Sequence, residues 1–342
     1  MKKQNVFSAF AKSKAFPLVI ILVVMTIITS SLSKGVFLTP NNLLTIFYGL
    51  VIQVVFLCGL GMILISGNID LSVGGQASLC AMIFAWICKN SSMGWGIALL
   101  IALCAALCCG LINTLLVNKL RFPSFIATIG MSSIYRGLCS VMTKGENIQI
   151  NRASFLAIGN GKLFGFLPFG FLFALLLLII FQFMLSRTNF GRGIFMVGGN
   201  QQAARLAGLN PDRVRMILFL MSSCLACIGG LLWCTSSKLA SPTAIIEGGY
   251  DMQVISAAIL GGVAFTGGAG NLISALVGVL LLNIFKNMLI VIGIPTYWTV
   301  FAQGFVLALA LTLDYFSTER RRKALLAASA AAEAAEAAGL SS

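Results

Sequence analysis

Histidine is absent from this 342-residue chain, and only nine residues are acidic. Without histidine, the commonest general base and the commonest metal ligand are missing. Charged residues of both signs amount to 9%, against about 25% in an average soluble domain. So few charges cannot cover a water-facing surface. No G-x-x-x-x-G-K-[ST] phosphate loop occurs, and no soluble stretch is large enough to house one, so any ATP motor must be a separate subunit. Also missing is the alternation over about ten residues that marks membrane barrel strands. No small-residue cleavage site follows the first apolar run, Phe16 to Leu32, so it reads as a retained span.

What the chain has is apolar length. Hydrophobic residues make up 59% and come in runs of roughly 17–25, the length of a helix that crosses about 30 Å of hydrocarbon. The expected fold is an all-α polytopic transmembrane bundle of about ten spans with both termini cytoplasmic. The spans are placed at 16–33, 50–66, 71–88, 94–117, 122–143, 164–185, 214–235, 253–267, 271–292 and 296–314. Residues 1–15 form the cytoplasmic N-terminus, 16–315 the membrane domain with an inner loop at 186–213, and 316–342 a basic, then Ala/Glu-rich, cytoplasmic tail.

The net charge of +14 points to orientation, not to nucleic acid. With the N-terminus inside, fifteen Lys and Arg fall on the cytoplasmic side and six outside. Arg136 and Lys286 lie within spans, which accounts for all 23. That asymmetry follows the positive-inside rule and implies a multi-pass membrane protein in contact with lipid. The ten cysteines sit almost entirely in apolar runs and act there as small apolar residues. Cys224 and Cys227 form a C-x-x-C, but with no partner pair.

The outer loop 144–163 is polar and is expected to fold back on the membrane surface. In the inner loop, Asn200 suits the cap of a short helix beginning near Gln201, and Gly208 with Pro211 ends it. Ala203, Ala204 and Ala207 leave little side chain there, so another protein's backbone has room to approach. An interfacial helix resting on headgroups fits the same residues.

Within the membrane, Asp70 is placed near the cytoplasmic end of the second span, within reach of water. It reads as an N-cap of the third span, or as a group touching solute or gate. Arg136 pairs with a carbonyl or snorkels outward, or else lines a path for an anionic solute. The glycine clusters 59–61, 261–262 and 267–270 permit close packing or a helix break, and a break at membrane depth must face protein or water. Asp70, Ser72, Gln76, Asn113, Thr128, Ser132 and Tyr135 are the candidate path or gate residues.

Gly67-Asn-Ile-Asp-Leu-Ser-Val-Gly74 resembles the G-x-I-D-L-S-V-G stretch of ribose-type monosaccharide ABC importer permeases. Thr128-Ile-Gly-Met with Tyr135-Arg-Gly137, Gly198-Gly-Asn200 with Ala203-Ala204, and Ile259-Leu-Gly-Gly262 with Thr266-Gly-Gly-Ala-Gly270 are similar to the same family. Order and spacing agree from about residue 40 to 315. Asn68 departs from the pattern, where the family often has Gly or Glu.

The resemblance implies a non-catalytic subunit that forms the path of a monosaccharide or similar small solute. It implies a second copy of the permease, an ABC ATPase subunit carrying the ATP and Mg, and an extracytoplasmic solute-binding protein. This chain itself would bind no cofactor. Carried onto this sequence, the helix that docks the ATPase is Gly198 to Gly208, with Gly198, Gly199, Asn200, Ala203, Ala204, Arg205 and Gly208 as coupling residues. Alternatives are an ABC permease for a nucleoside or branched-chain amino acid, or an ion-coupled secondary transporter. The last needs titratable groups at mid-membrane, and this chain has few.

Overall fold

The computed structural model describes residues 15–295 and, beyond them, isolated positions up to residue 319. The N-terminal lysines, most of the span expected at 296–314 and the tail at 316–342 lie outside the described residues. The first five helices are α1 (Ala15–Leu32), α2 (Pro40–Ile65), α3 (Val73–Asn90), α4 (Trp95–Thr114) and α5 (Ser124–Thr143). A short surface helix α6 (Ala153–Asn160) leads to α7 (Phe169–Arg187), α8 (Asn189–Gly199) and α9 (Gln201–Leu206). Then come α10 (Pro211–Ser237), α11 (Ala244–Glu247), α12 (Tyr250–Leu260) and α13 (Leu272–Val291). Six of these are long and apolar enough to cross a membrane: α2, α4 with its π-helical extension Leu115–Lys119, α5, α7, α10 and α13.

A helix that is apolar all round must be enclosed, and α2 is the bundle's axis. Every residue from Leu50 to Ser66 is buried, with α7, α10, α12 and α13 packed around it. Gly59 lets the backbone of α10 come close, because a Cβ there would stand 3.0 Å from Ser222 Cα. Toward the outside, α4, α5 and α7 expose Leu100, Ile126, Val141 and Ile179, an apolar surface that water does not favour.

Helix α2 begins ten residues before the span expected at 50–66. Its first turns are polar, which hid them from a hydropathy reading, but Pro40 at the first helical turn favours a start there. Asn42 and Asn287 of α13 then exchange two hydrogen bonds of 2.9 Å, holding the polar turns against the bundle.

The segment expected to cross at 253–267 is also different. Helix α12 spans only Tyr250–Leu260, roughly 16 Å at 1.5 Å per residue, about half the hydrocarbon depth. The preceding stretch 241–249 is irregular and mostly shielded by protein, with the single turn α11 inside it. From Gly261 the chain turns through a glycine-rich loop into α13. The cluster 261–270 therefore breaks a helix, whereas 59–61 packs within one.

Lys119, Arg121, Arg187, Arg205, Arg213 and Arg215 gather at one end of the bundle. There Asn118 donates to the Asp212 carbonyl at 2.7 Å, and Leu272 N donates to Gln182 Oε1 at 2.9 Å. The opposite end is closed by residues 144–163. This loop packs over the helix ends. Its strand β1 (Ile148–Gln149) pairs antiparallel with β4 (Leu239–Ala240), while Lys162–Leu163 pairs with Leu167–Pro168 as β2 and β3. Arg152 donates to the Cys88 and Ser91 carbonyls at 3.1 and 3.2 Å, at the end of α3.

The asparagine pair gives a direct check on this packing. Asn287→Leu leaves Asn42 short of a partner and is expected to cost about 1–3 kcal/mol, whereas replacing both by Leu restores most of that loss. Thermal unfolding of the purified protein in detergent, run as a double-mutant cycle, measures both.

Candidate functional site

Helix α2 ends in a left-handed glycine cap. Gly67 has φ +75°, its N–H donates to Leu64 O at 2.9 Å, and Asn68 N–H donates to Ile63 O at 3.1 Å. Asn68, the residue that departs from the family pattern, turns its side-chain amide back onto Ser66. Residues 68–72 then run without regular structure inside the protein. Freed amides at this depth need partners, and α5 supplies them: Ile69 N donates to Ser124 Oγ at 3.1 Å and Leu71 N to Thr128 Oγ1 at 3.0 Å.

Asp70 is wholly buried, out of the reach of water that its place near a helix end suggested. It does not cap α3 either: the cap position is Ser72, with no side-chain cap bond. Instead Asp70 Oδ1 accepts from the Ser72 N–H at 2.9 Å and the Ser72 hydroxyl at 2.5 Å, closing an Asx turn one step before the helix. From α10, the Ser222 hydroxyl donates to Oδ2 at 3.5 Å.

Ser72 is the hub of this network. Its oxygen has one proton to give and two lone pairs to fill. The proton goes to Asp70, while the lone pairs accept from Gln76 Nε2 at 2.6 Å and Asn113 Nδ2 at 2.8 Å. Tyr135 completes the chain, its hydroxyl donating to the Cys109 carbonyl at 3.2 Å and lying 3.4 Å from Asn113 Oδ1. The structure thus brings Asp70, Ser72, Gln76, Asn113, Thr128 and Tyr135 together and buries all six. Ser132 stands apart; its backbone packs on α3, 3.0 Å from where a Cβ on Gly75 would lie. Arg136 faces outward and pairs with a carboxylate, Glu247 of α11, at 3.4 Å. An ion pair this exposed contributes little.

At the basic end, Asn200 Oδ1 accepts from the N–H groups of Gln202 and Ala203 at 2.9 and 3.0 Å and so caps α9. Gly208, with φ +81°, closes it. Ala204 is buried against the protein and so offers no surface to a partner, contrary to its expected coupling role. Ala203 and Arg205 are exposed, and Leu206 is 92% exposed at the tip of the knob. An unshielded leucine is ordinary in a sequence pattern, and only the fold reveals its position.

Directly beneath α9, three glycine segments meet backbone to backbone. Gly198 touches the end of α2 so closely that a Cβ would lie 1.9 Å from Ile65 O and 2.6 Å from Gly268 N. Gly268 N–H donates to that same Ile65 carbonyl at 2.8 Å. A Cβ on Gly267 would lie 2.7 Å from Gly67 Cα. Gly199, one residue along, has open space at its Cβ position.

A second polar chain escaped the sequence reading because its members lie far apart along the chain. Gln53 of α2 donates to Gln253 Oε1 of α12 at 2.8 Å and accepts from Asn283 Nδ2 of α13 at 2.9 Å. Each stands in its helix as a polar residue amid apolar ones, and that was its one signal.

The glycine contact makes a sharp expectation. Gly198→Ala is expected to destabilise the protein by about 1–3 kcal/mol through overpacking, while Gly199→Ala leaves it near wild type. Paired thermal melts of the two variants compare them directly.

Residues 40–311 match the family described as branched-chain amino acid transport system / permease component. Among curated relatives, the chain is 32% identical over 269 residues to the autoinducer 2 import system permease protein LsrC of Yersinia enterocolitica, covering 79% of this chain and 74% of that protein. The same identity holds for the LsrC proteins of Yersinia pseudotuberculosis and Yersinia pestis, of which 76% is covered. No solved structure matches. With its apolar helices and this match over most of its length, the chain belongs to this permease family, as a multi-pass inner-membrane subunit of an ABC importer.

Proposed function

We propose that the chain forms the path of a small sugar-like solute, gated at the Asp70–Ser72 turn and driven by an ATPase that docks on α9. The relatives named for import of autoinducer 2, a sugar-like substrate, support that solute class. The basic end faces the cytoplasm, as the placement of Lys and Arg directs, and both termini lie on that side. A soluble solute-binding protein meets the opposite end, capped by residues 144–163. ATP and Mg remain on the ATPase, and this chain binds no cofactor. A second copy completes the path, its contact running along α5, where Gly130 and Gly137 leave open space beside exposed Ile126 and Ile134.

One observation carries the mechanism: Gly198, the last turn before the α9 knob, lies against the backbone of Ile65 with no side chain between them. A push on α9 therefore moves the end of α2. That end carries the turn 68–72, whose amides hang on Ser124 and Thr128 of α5 and whose Asp70 hangs on Ser222 of α10. Shifting α2 against α5 and α10 breaks those bonds and exposes the polar groups of the network to water and solute. A sealed network of hydroxyls, amides and one carboxylate suits a gate, because opening it reveals groups that hydrogen-bond a polyhydroxylated solute.

Co-reconstitution in liposomes tests the reading. The chain alone is expected to hydrolyse no ATP, and uptake is expected only with the ATPase and binding protein present. Leu206→Glu is expected to lower ATPase co-purification and uptake about tenfold or more, as for a central interface residue, with unchanged thermal stability. Uptake by the lone chain driven by an ion gradient would contradict the proposal.

A further inference from the structure

Away from the basic end, α2, α10, α12 and α13 part to leave a cavity of about 250 Å³. Three aromatic side chains line it, Tyr48, Trp233 and Tyr250, with Gln53, Asn283 and Lys286 between them. Pockets for drug-sized ligands run to about 300–1,000 Å³, so this one suits a solute of monosaccharide scale. Its amides are held in place by the chain that joins Asn283, Gln53 and Gln253 at 2.8–2.9 Å. Gly49 makes the room, since a Cβ there would stand 2.8 Å from Asn283 Nδ2.

Lys286 is the group that packing does not explain. It sits within α13, half-buried, its Nζ 5.6 Å from the centre of the Tyr250 ring. Among the described residues no carboxylate pairs with it. The acidic neighbour of Tyr250 in sequence, Asp251, turns elsewhere. Its Oδ1 accepts from Met252 N at 2.9 Å and its Oδ2 points to Gly74 of α3, 3.5 Å from where a Cβ would lie. Lysines within spans are costly and mark solute or ion paths. A cation–π contact offsets part of that cost, and the ammonium keeps donors for a further oxygen.

We propose that this cavity holds a small polyhydroxylated solute on its way through, and that Lys286 sets the charge it accepts. Aromatic faces pack on the C–H faces of a sugar ring, the amides bond its hydroxyls, and the ammonium donates to its oxygens. A solute carrying its own ammonium meets a like charge in a poorly hydrated site, a repulsive element of the kind that builds specificity. The inference rests on the reading of the chain as a solute path. It also separates two solute classes, because an amino acid brings an ammonium and a sugar does not.

Glucose, glucuronate and glucosamine share one pyranose ring with neutral, anionic and cationic charge. Thermal-shift titration of the purified chain with each, at matched ionic strength, reads the selectivity. Glucose and glucuronate are expected to protect, and glucosamine to need about tenfold more, the ratio that about 1.4 kcal/mol of charge contact produces. Lys286→Gln is expected to bring glucosamine level with glucose, and Lys286→Arg to keep the gap. Should Lys286→Gln not fold, the wild-type titrations decide alone. Equal protection by all three, protection by none, or a gap that survives Lys286→Gln would overturn the assignment. ATP-dependent uptake, which tests the permease role itself, is a separate readout.

Discussion

Where α2 ends, the chain approaches itself more closely than any side chain permits. The backbones of Gly67, Gly198 and Gly267–Gly268 meet there, bound by the Gly268 amide on the Ile65 carbonyl. Packed interiors transmit displacement instead of absorbing it, because they are close-packed and nearly incompressible. A contact of backbone on backbone has no rotamer to yield. The junction joins the helix that forms the bundle's axis, the segment that leads into the α9 knob, and the loop that follows the broken helix α12. Most of the functional geometry hangs from these three pieces of chain.

The Asp70 network shows what the junction controls. Six polar side chains are taken out of water, and burial of unbonded polar groups is costly. Ser72 meets part of that cost by using its donor and both lone pairs, and Ser124 and Thr128 bond the Ile69 and Leu71 amides, while Gln76 Oε1 is left without a partner among the described residues. Every bond but those within the turn itself reaches to another helix or crosses a helical turn. The network therefore holds only while α2, α3, α4, α5 and α10 keep their places, which makes it sensitive to small shifts of any one.

The fold class was legible in the sequence because the apolar runs match the bilayer. Two elements were not. Hydropathy missed the first turns of α2, whose asparagines find partners in α13, and it could not register that α12 stops halfway. Of the site, the members of the Asp70 network stood out as polar residues amid apolar ones, and Asn200 as a cap followed by helix formers. What stayed hidden depends on which face a residue takes. Ala204 turns inward, Leu206 outward, and Ser132 away from the network. The amides Gln53, Gln253 and Asn283 converge from far-separated positions, a fact no local pattern records.

The central claim is that α9 and α2 move as one body against α5. Spin labels at Leu206→Cys and Asn41→Cys report one distance, and labels at Leu206→Cys and Ile126→Cys another, in a chain whose exposed Cys104 and Cys108 are replaced by Ser. Double electron–electron resonance on the complex with its ATPase, without nucleotide and with ATP trapped, compares them. The account predicts an unchanged Leu206–Asn41 distance and a shifted Leu206–Ile126 distance. A Leu206–Asn41 distance that changes as much as the other would contradict it.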